Sequence, residues 1–534
     1  MGSETSIGEA IVELLEAYGV DTVFGIPGVH NVEMYRALPR SAIRHILPRH
    51  EQGAGFMADG YARATGRPGV AFTITGPGLT NILTPMGQAW SDSVPMLVIS
   101  TALDVADQAY GRGRLHEMRD QRGAARSVVE HAVSANSAAD VEDALAAAFA
   151  GFAGRRPRPT YVEVPIDVLK SPAGPGWSAR PAAGPPHAAP EAIGKAAALL
   201  AEAARPVMIV GGGARRLSEP VAAIAERLGA VVFTSVAAKG VLPDRHPLLA
   251  GAVLPNPASI ALIEQADVVL AVGTEISETD LWHQRLTMAG ALVRIDLDSA
   301  MLARPYPASV PILADAGAAL EALAAALGGG PDIGRGHAAA AQVKSLREAL
   351  AKEDDALRAM LRKVLEAIRE GLPEETIVTS DMTQIAYAAN EIFPMNRPGR
   401  WLHPAGFGTL GYGLPAAIGA RAGRPDEPVA ALIGDYGFQY TMAELGTAAE
   451  LGQPLVILLW NNDSLGQIRD DMVRKGIQPN AVTARNPDFQ MLFSAYGCHA
   501  EKPESVAGIV PAIGRALAAD RPTLIEMTPR MAGL

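Results

Sequence analysis

Apolar residues recur along the start of the chain with two different spacings. Ile7, Ile11, Leu14, Leu15 and Tyr18 fall on one helical face and predict a helix over 7–18. Short apolar runs at 22–26, 46–50, 70–75, 96–100 and 160–164 predict strands, with helices over 52–64 and 80–90 among them. Unbroken apolar runs belong to strands buried on both faces, so the pattern predicts a parallel sheet covered by helices. The same style returns twice more. Runs at 207–210, 231–233, 268–272 and 292–295 predict a second sheet. Runs at 376–380, 429–433, 455–460 and 523–527, with a helix over 411–423, predict a third.

Two stretches break the periodicity. Six prolines between 171 and 190 predict an extended linker. The glycine- and alanine-rich stretch 331–349 predicts a second. The chain therefore divides into domains at 1–170, 191–330 and 350–534, which suits 534 residues, too many for one core. The expected fold class is α/β, three domains each with a mainly parallel sheet flanked by helices, the central one Rossmann-like. In that domain Gly211-Gly212-Gly213 and Gly273 each follow a strand, but the full dinucleotide fingerprint is missing, and 191–330 holds no FAD signature.

Composition narrows the function classes. A net charge of −11 without a basic tract argues against nucleic acid and anionic membranes as partners. The single cysteine, Cys498, excludes an intrachain disulfide and a cysteine-based metal site, and it fits a reducing compartment. No apolar run reaches membrane-spanning length, and the first residues lack an export signal, so a cytoplasmic location is expected. Met1, Gly2 and Ser6 match the loose myristoylation pattern, with nothing nearby to support attachment.

Chemistry concentrates between Val429 and Asn462. An apolar run ends in Gly434-Asp435, a helical pattern follows, and a second apolar run ends in Asn461-Asn462. Two parallel strands joined by a helix put Asp435 and Asn462 side by side at the carboxyl edge of a sheet, where open α/β folds bind ligands. Gly434 and Gly437 leave backbone N–H groups free beside a helix start, which suits a phosphate. Carboxylate, amide and phosphate oxygens are hard ligands, so the expected ion is Mg2+. Gly406-Phe-Gly408-Thr-Leu-Gly411 matches a dinucleotide string without its strand–turn–helix context. It reads instead as backbone that comes close to a ligand.

The Gly434-Asp435 to Asn461-Asn462 pair resembles the thiamine diphosphate motif. Partner signatures stand in the first domain: Phe24-Gly-Ile-Pro-Gly28, Arg49-His-Glu-Gln-Gly-Ala54, Asp59-Gly-Tyr-Ala-Arg63, and Gly76-Pro-Gly78 followed by Asn81. Across nearly the whole chain these are similar to the superfamily of acetolactate synthase, benzoylformate decarboxylase and pyruvate decarboxylase. The resemblance implies thiamine diphosphate and Mg2+ as cofactors and a homodimer at least, commonly a homotetramer, with each site shared between subunits.

By the same resemblance Glu51 is catalytic: it hydrogen-bonds the cofactor's pyrimidine and favours the imino tautomer that activates thiazolium C2. Gly76, Asn81, Gly408 and Leu410 lie on the pyrimidine side. Gly434, Asp435, Tyr436, Gly437, Phe438, Asn462, Leu465 and Gly466 surround the diphosphate. Asp435, Asn462 and the Ser464 carbonyl hold the metal. Tyr436 stands where many relatives have glycine or alanine. Val29, His30, His116, Gln467 and Ile468 face the substrate, with His30 and His116 able to hold a carboxylate or relay a proton. Ile468 replaces an acidic proton-transfer residue of pyruvate decarboxylases.

The runs 24–33, 115–117, 273–280 and 460–469 are similar to decarboxylases of 5-guanidino-2-oxopentanoate. This implies a 2-oxo acid substrate whose guanidinium tail calls for a carboxylate, from among Glu278, Asp280, Asp463, Asp470 and Asp471. Acetolactate synthase and an aromatic or branched-chain 2-oxo acid decarboxylase are the alternatives. A nicotinamide dehydrogenase is suggested by glycine strings alone, and a non-catalytic relative is disfavoured because Glu51, Asp435 and Asn462 are intact.

Overall fold

The computed structural model describes residues 5–108, 111–282, 286–483 and 485–533. Met1 and Gly2 of the myristoylation pattern lie outside them. Among the described residues, eighteen strands form three six-stranded sheets, and every paired strand runs parallel to its neighbour. The first comprises β1 (Thr22–Gly25), β2 (Arg44–Ile46), β3 (Gly69–Thr73), β4 (Met96–Ala102), β5 (His131–Ser134) and β6 (Thr160–Pro165), in the order β2-β1-β3-β4-β6-β5.

The second comprises β7 (Pro206–Val210), β8 (Val231–Thr234), β9 (Leu249–Gly251), β10 (Val268–Val272), β11 (Ala291–Asp296) and β12 (Val310–Leu313). Its order, β12-β11-β10-β7-β8-β9, is the doubly wound arrangement. The third comprises β13 (Ile377–Ser380), β14 (Trp401–Leu402), β15 (Val429–Gly434), β16 (Leu455–Trp460), β17 (His499–Glu501) and β18 (Pro522–Met527). Its order, β14-β13-β15-β16-β18-β17, repeats that of the first sheet strand for strand.

Between Lys170 and Pro190 the chain forms no helix or strand. The expected linker at 331–349 is corrected: Ile333–Lys352 is a helix capped by Asp332, with Ala339, Val343 and Leu346 buried in the central core. Its alanines are the strongest helix formers, and they outweigh the two glycines in its first turn.

The first and third domains share one hydrophobic core built around the helices Glu51–Thr65 and Gly413–Gly423. The two helices cross with backbones nearly touching. A Cβ on Gly60 would run into the backbone of Ala416, and one on Gly419 into that of Met57. Partly buried Arg63 ties the crossing together: it donates to Asp59 Oδ1 at 2.6 Å, to Asp92 Oδ2 at 2.8 Å and to the His403 carbonyl at 3.2 Å. Tyr412 donates to the same Asp59 at 2.7 Å. The central domain joins through Arg216, whose guanidinium meets the carbonyls of Arg63 and Ala64 at the end of the Glu51 helix.

Candidate active site

Glu51 opens its helix directly after His50, whose ring accepts from the Gln52 N–H and caps the first turn. The carboxylate is buried, and Asn81 donates to its Oε2 at 2.9 Å. Its Oε1 has no partner among the described residues, which leaves one oxygen to meet a ligand nitrogen. Gly76, at the end of the segment after β3, caps the helix that carries Asn81, and its N–H donates to Gln121 Oε1 at 2.9 Å. Gln121 in turn donates to the Thr101 carbonyl, the Tyr161 hydroxyl and Glu163.

His30 and His116, separated in sequence, meet edge to face with ring centroids 4.9 Å apart. The Nδ1 atom of each is buried, with no hydrogen-bond partner among the described residues. Burial, then the neighbouring His116, holds His30 below the usual histidine range, so it is neutral near pH 7. Val29 beside them is exposed.

In the third domain, β15 and β16 pair with Gly434 opposite Trp460, so Asp435 and Asn461-Asn462 emerge together at the carboxyl edge. Asp435 is buried, and burial raises its pKa. Its Oδ2 accepts from Asn486 Nδ2 at 2.7 Å, and no lysine or arginine among the described residues pairs with it. Asn486 also donates to Asn461 Oδ1 and Asp463 Oδ1, which ties the loops after both strands together. Asn462 turns its amide N–H to Gln384 Oε1 at 3.0 Å, and among the described residues its Oδ1 receives only the Ser464 N–H at 3.3 Å. A buried carboxylate with no cationic partner, beside an underused amide oxygen, fits a divalent cation with oxygen ligands. The Ser464 hydroxyl donates to the Val482 carbonyl and is committed to structure.

Leu410 is half-buried, outside the packed core, in the loop after β14 with Gly408. The Phe438 ring packs on Phe489 and Phe493 in the core, so only its backbone can meet a diphosphate. Tyr436 and Leu465 are partly buried, Gly437 and Gly466 buried, and Gln467 and Ile468 exposed.

Asp381, at the end of β13, gave no motif signal. Its buried carboxylate accepts N–H groups from Met382, Gly411 and Gly413, and burial pushes it up to about 6. A Cβ on Gly437 would lie 2.8 Å from it, so it braces the Gly408–Leu410 loop against the Gly434–Phe438 turn. Asn486, Gln384 and Gln121 were likewise missed. An isolated amide carries no sequence signature until folding shows what it touches.

The carboxylates proposed for the guanidinium tail scatter. Glu278 and Asp280 line a cavity of about 280 Å³ at the carboxyl edge of the central sheet, near Gly212, Gly213 and Gly273. Asp471 is held by Arg474 and Lys475, Asp470 by Gln384 and Arg469, and Asp463 stands at the Asp435 edge. Arg156, which lines the same cavity, is paired with Glu275 and Asp296.

Among the described residues, no hydrogen bond joins Glu51, His30 or His116 to Asp435, Asn462 or Ser464. Within one chain the segment leading to Glu51 meets Glu444 instead, which accepts the Arg49 and His50 N–H groups at 3.0–3.1 Å. One chain thus holds two separate clusters, each a candidate half-site.

Three family models match the chain in this order: the N-terminal TPP binding domain of thiamine pyrophosphate enzymes over 5–124, the central domain over 193–323, and the C-terminal TPP binding domain over 381–527. The chain belongs to the thiamine pyrophosphate enzymes. It is 49% identical to a protein of Pseudomonas aeruginosa described as "Probable 2-ketoarginine decarboxylase", over 97% of this chain and 93% of that one. The acetolactate synthase large subunit of Corynebacterium glutamicum is 33% identical over 97% of this chain and 86% of its own. Acetolactate synthase isozyme 3 of Escherichia coli is 31% identical, with 92% and 88% covered.

Proposed function

We propose that this enzyme decarboxylates 5-guanidino-2-oxopentanoate, which is 2-ketoarginine, without oxidation, to give carbon dioxide and 4-guanidinobutanal. What carries the reading is the 49% identity to the Pseudomonas protein over nearly the full length of both chains, against 31–33% for the acetolactate synthases. The reaction belongs to arginine catabolism, in a reducing compartment such as the cytoplasm.

Bound thiamine diphosphate supplies a nucleophilic carbon and an electron sink for the electrons left when carbon dioxide departs. Asp435, Asn462 and the Ser464 carbonyl would hold Mg2+, with backbone at Gly434, Tyr436, Gly437 and Phe438 around the diphosphate and Leu465 and Gly466 beyond it. Glu51 offers its unpartnered oxygen to a ring nitrogen, while Asn81 fixes the other oxygen and so the carboxylate plane. Gly408 and Leu410 would lie on the pyrimidine side. The His30–His116 pair would hold the substrate carboxylate and then relay from solvent the proton that the aldehyde requires. Val29, Gln467 and Ile468 line the way in.

The half-sites of one chain are completed by a second copy, so a homodimer is the smallest active unit and a homotetramer the fuller assembly. Acetolactate synthesis with a flavin in the central domain is the second reading, favoured by the cavity beside Gly212 and Gly273. Against it, an arginine there is already neutralised by Glu275 and Asp296.

The test is incubation with 5-guanidino-2-oxopentanoate, thiamine diphosphate and Mg2+, with the products identified. Carbon dioxide with 4-guanidinobutanal is expected, and pyruvate should give no acetolactate. A flavin-loaded protein that condenses pyruvate, or no aldehyde from the guanidino acid, overturns the proposal.

A further inference from the structure

A second cavity, of about 210 Å³, lies between the central and C-terminal domains, away from both half-sites. Four segments build it: the chain after β8 and the helices Ile333–Lys352, Ala356–Gly371 and Gln384–Ile392. Four cations line it, Lys239, Arg347, Arg358 and Arg362, against two acids, Asp244 and Glu391. Glu391 is already taken by Arg358, and Asp354, outside the lining, pairs with both Arg358 and Arg362, which leaves Lys239 and Arg347 as the cations without an ion pair among the described residues.

Lys239 is 8% exposed. Among the described residues its ammonium has no hydrogen bond and no ion pair; its one close partner is the Trp401 ring, 6.0 Å from the centroid. Burial pushes the ammonium down to about 8, against the weaker pull of Asp244 and Glu391, so it is still mostly charged at neutral pH. A buried charge without a counter-charge is costly, and chains keep such groups where something else supplies the missing charge. Arg347 spends one nitrogen, Nη2, on the carbonyls of Asp244 and Leu249 at 2.5 and 2.9 Å. Its Nε and Nη1 have no partner among the described residues. A water occupies about 30 Å³ of liquid, so the cavity has room for a group of several heavy atoms.

We propose that this cavity binds a phosphate group, clamped by the Lys239 ammonium and the free edge of the Arg347 guanidinium. A lysine point charge beside an arginine fork is the donor set that a tetrahedral oxyanion satisfies with several charge-assisted hydrogen bonds. The ligand is inorganic phosphate or the phosphate of a small monoester. Bound there, it ties the central domain, the connecting helix and the C-terminal domain together, and so acts on stability and domain geometry rather than on the reacting atoms.

The experiment uses the full-length protein loaded with thiamine diphosphate and Mg2+, in a zwitterionic buffer at constant ionic strength. Thermal unfolding is followed against inorganic phosphate, glycerol phosphate and, as control, chloride. A saturable rise in the midpoint with either phosphate and none with chloride is expected, as for any ligand that binds only the folded state. Lys239→Met and Arg347→Gln should each raise the half-saturating concentration at least about tenfold, the loss of one charge-assisted contact. A stronger response to glycerol phosphate identifies a monoester ligand, and an equal or weaker one identifies free phosphate. Absence of a saturable rise, or wild-type behaviour in Arg347→Gln, overturns the proposal. Arg347 is half-buried, so its variant decides the matter if Lys239→Met fails to fold.

Discussion

The first and third domains are built on the same strand order, and their functional loops leave the sheet after corresponding strands. Glu51 follows β2, as Gly408 and Leu410 follow β14. His116 follows β4, as Asn462 follows β16. Gly76 follows β3, as Asp435 follows β15. The chemistry at the two edges nevertheless differs. The first edge offers one half-satisfied carboxylate and two imidazoles in edge-to-face contact; the third offers a carboxylate and amide oxygens cross-linked by Asn486. Topology decides where a ligand can sit, and the residues at the strand ends decide which end of the ligand it is.

The switch point separates the edges further. After β1 the first domain turns through Ile26-Pro27-Gly28, closed by buried Asn31, which accepts from the Gly28 N–H and donates to the Ile26 carbonyl. After β13 the third domain places Asp381, a buried charge that gathers backbone N–H groups from the opposite loop.

The most severe test of this division is Glu51→Gln. Turnover should fall by about 10²–10⁴-fold, the range for a positioned acid–base group, while cofactor affinity stays within a few-fold of wild type. Calorimetry beside steady-state kinetics checks both. A comparable loss of cofactor binding would mean that Glu51 serves the same task as Asp435.

The next concerns the joint between the domains. Arg63→Met leaves Asp59 and Asp92 buried without their cation and should cost about 3–5 kcal/mol in denaturant unfolding. An unchanged midpoint would show that the helix crossing does not depend on that pair.

Asp381 gives a pH test. Its native pKa, about 6, lies above the ordinary 3.8. Folding therefore favours its neutral form: the associated stability is fully present below about 4 and is lost as the pH rises through about 6. The shift corresponds to roughly 3 kcal/mol by linkage. Asp381→Asn lacks this loss, so its unfolding midpoint should gain on wild type between pH 4 and pH 7. Parallel pH profiles would remove the argument.

The smallest expected effect is that of Asn486→Ala. Loss of a ligand-orienting amide should weaken Mg2+-dependent cofactor binding about 10–100-fold with the fold intact. The equivalent loss in the first domain, Asn81→Ala, should lower turnover more than cofactor affinity.

Burial explains how much of this was legible in the chain. The inner strands β3, β4, β7, β10, β15 and β16 are buried along their whole length, which forces continuous apolar runs that stand out in any reading. Edge strands such as β5, half-exposed along its length, and β14, only two residues long, carry no such run. At the site, Glu51, Asp435 and Asn462 were readable because each sits in a motif whose spacing the chemistry imposes. His30 and His116 could be named, but their contact could not be, since it depends on how two loops fold over one sheet edge.

Three α/β units and the two half-motifs were legible in the chain, because burial and ligand-contacting spacing are local, and the resemblance of those motifs to a known family implied the cofactor. Tertiary structure alone decided that the first and third sheets share one strand order and that Asn486, Asp381 and Gln121 support the site. It also turned residues 333–352 into a helix of the central core and left Lys239 buried with no ion pair among the described residues. These features depend on which distant segments meet, and contact between distant segments leaves no period in a chain.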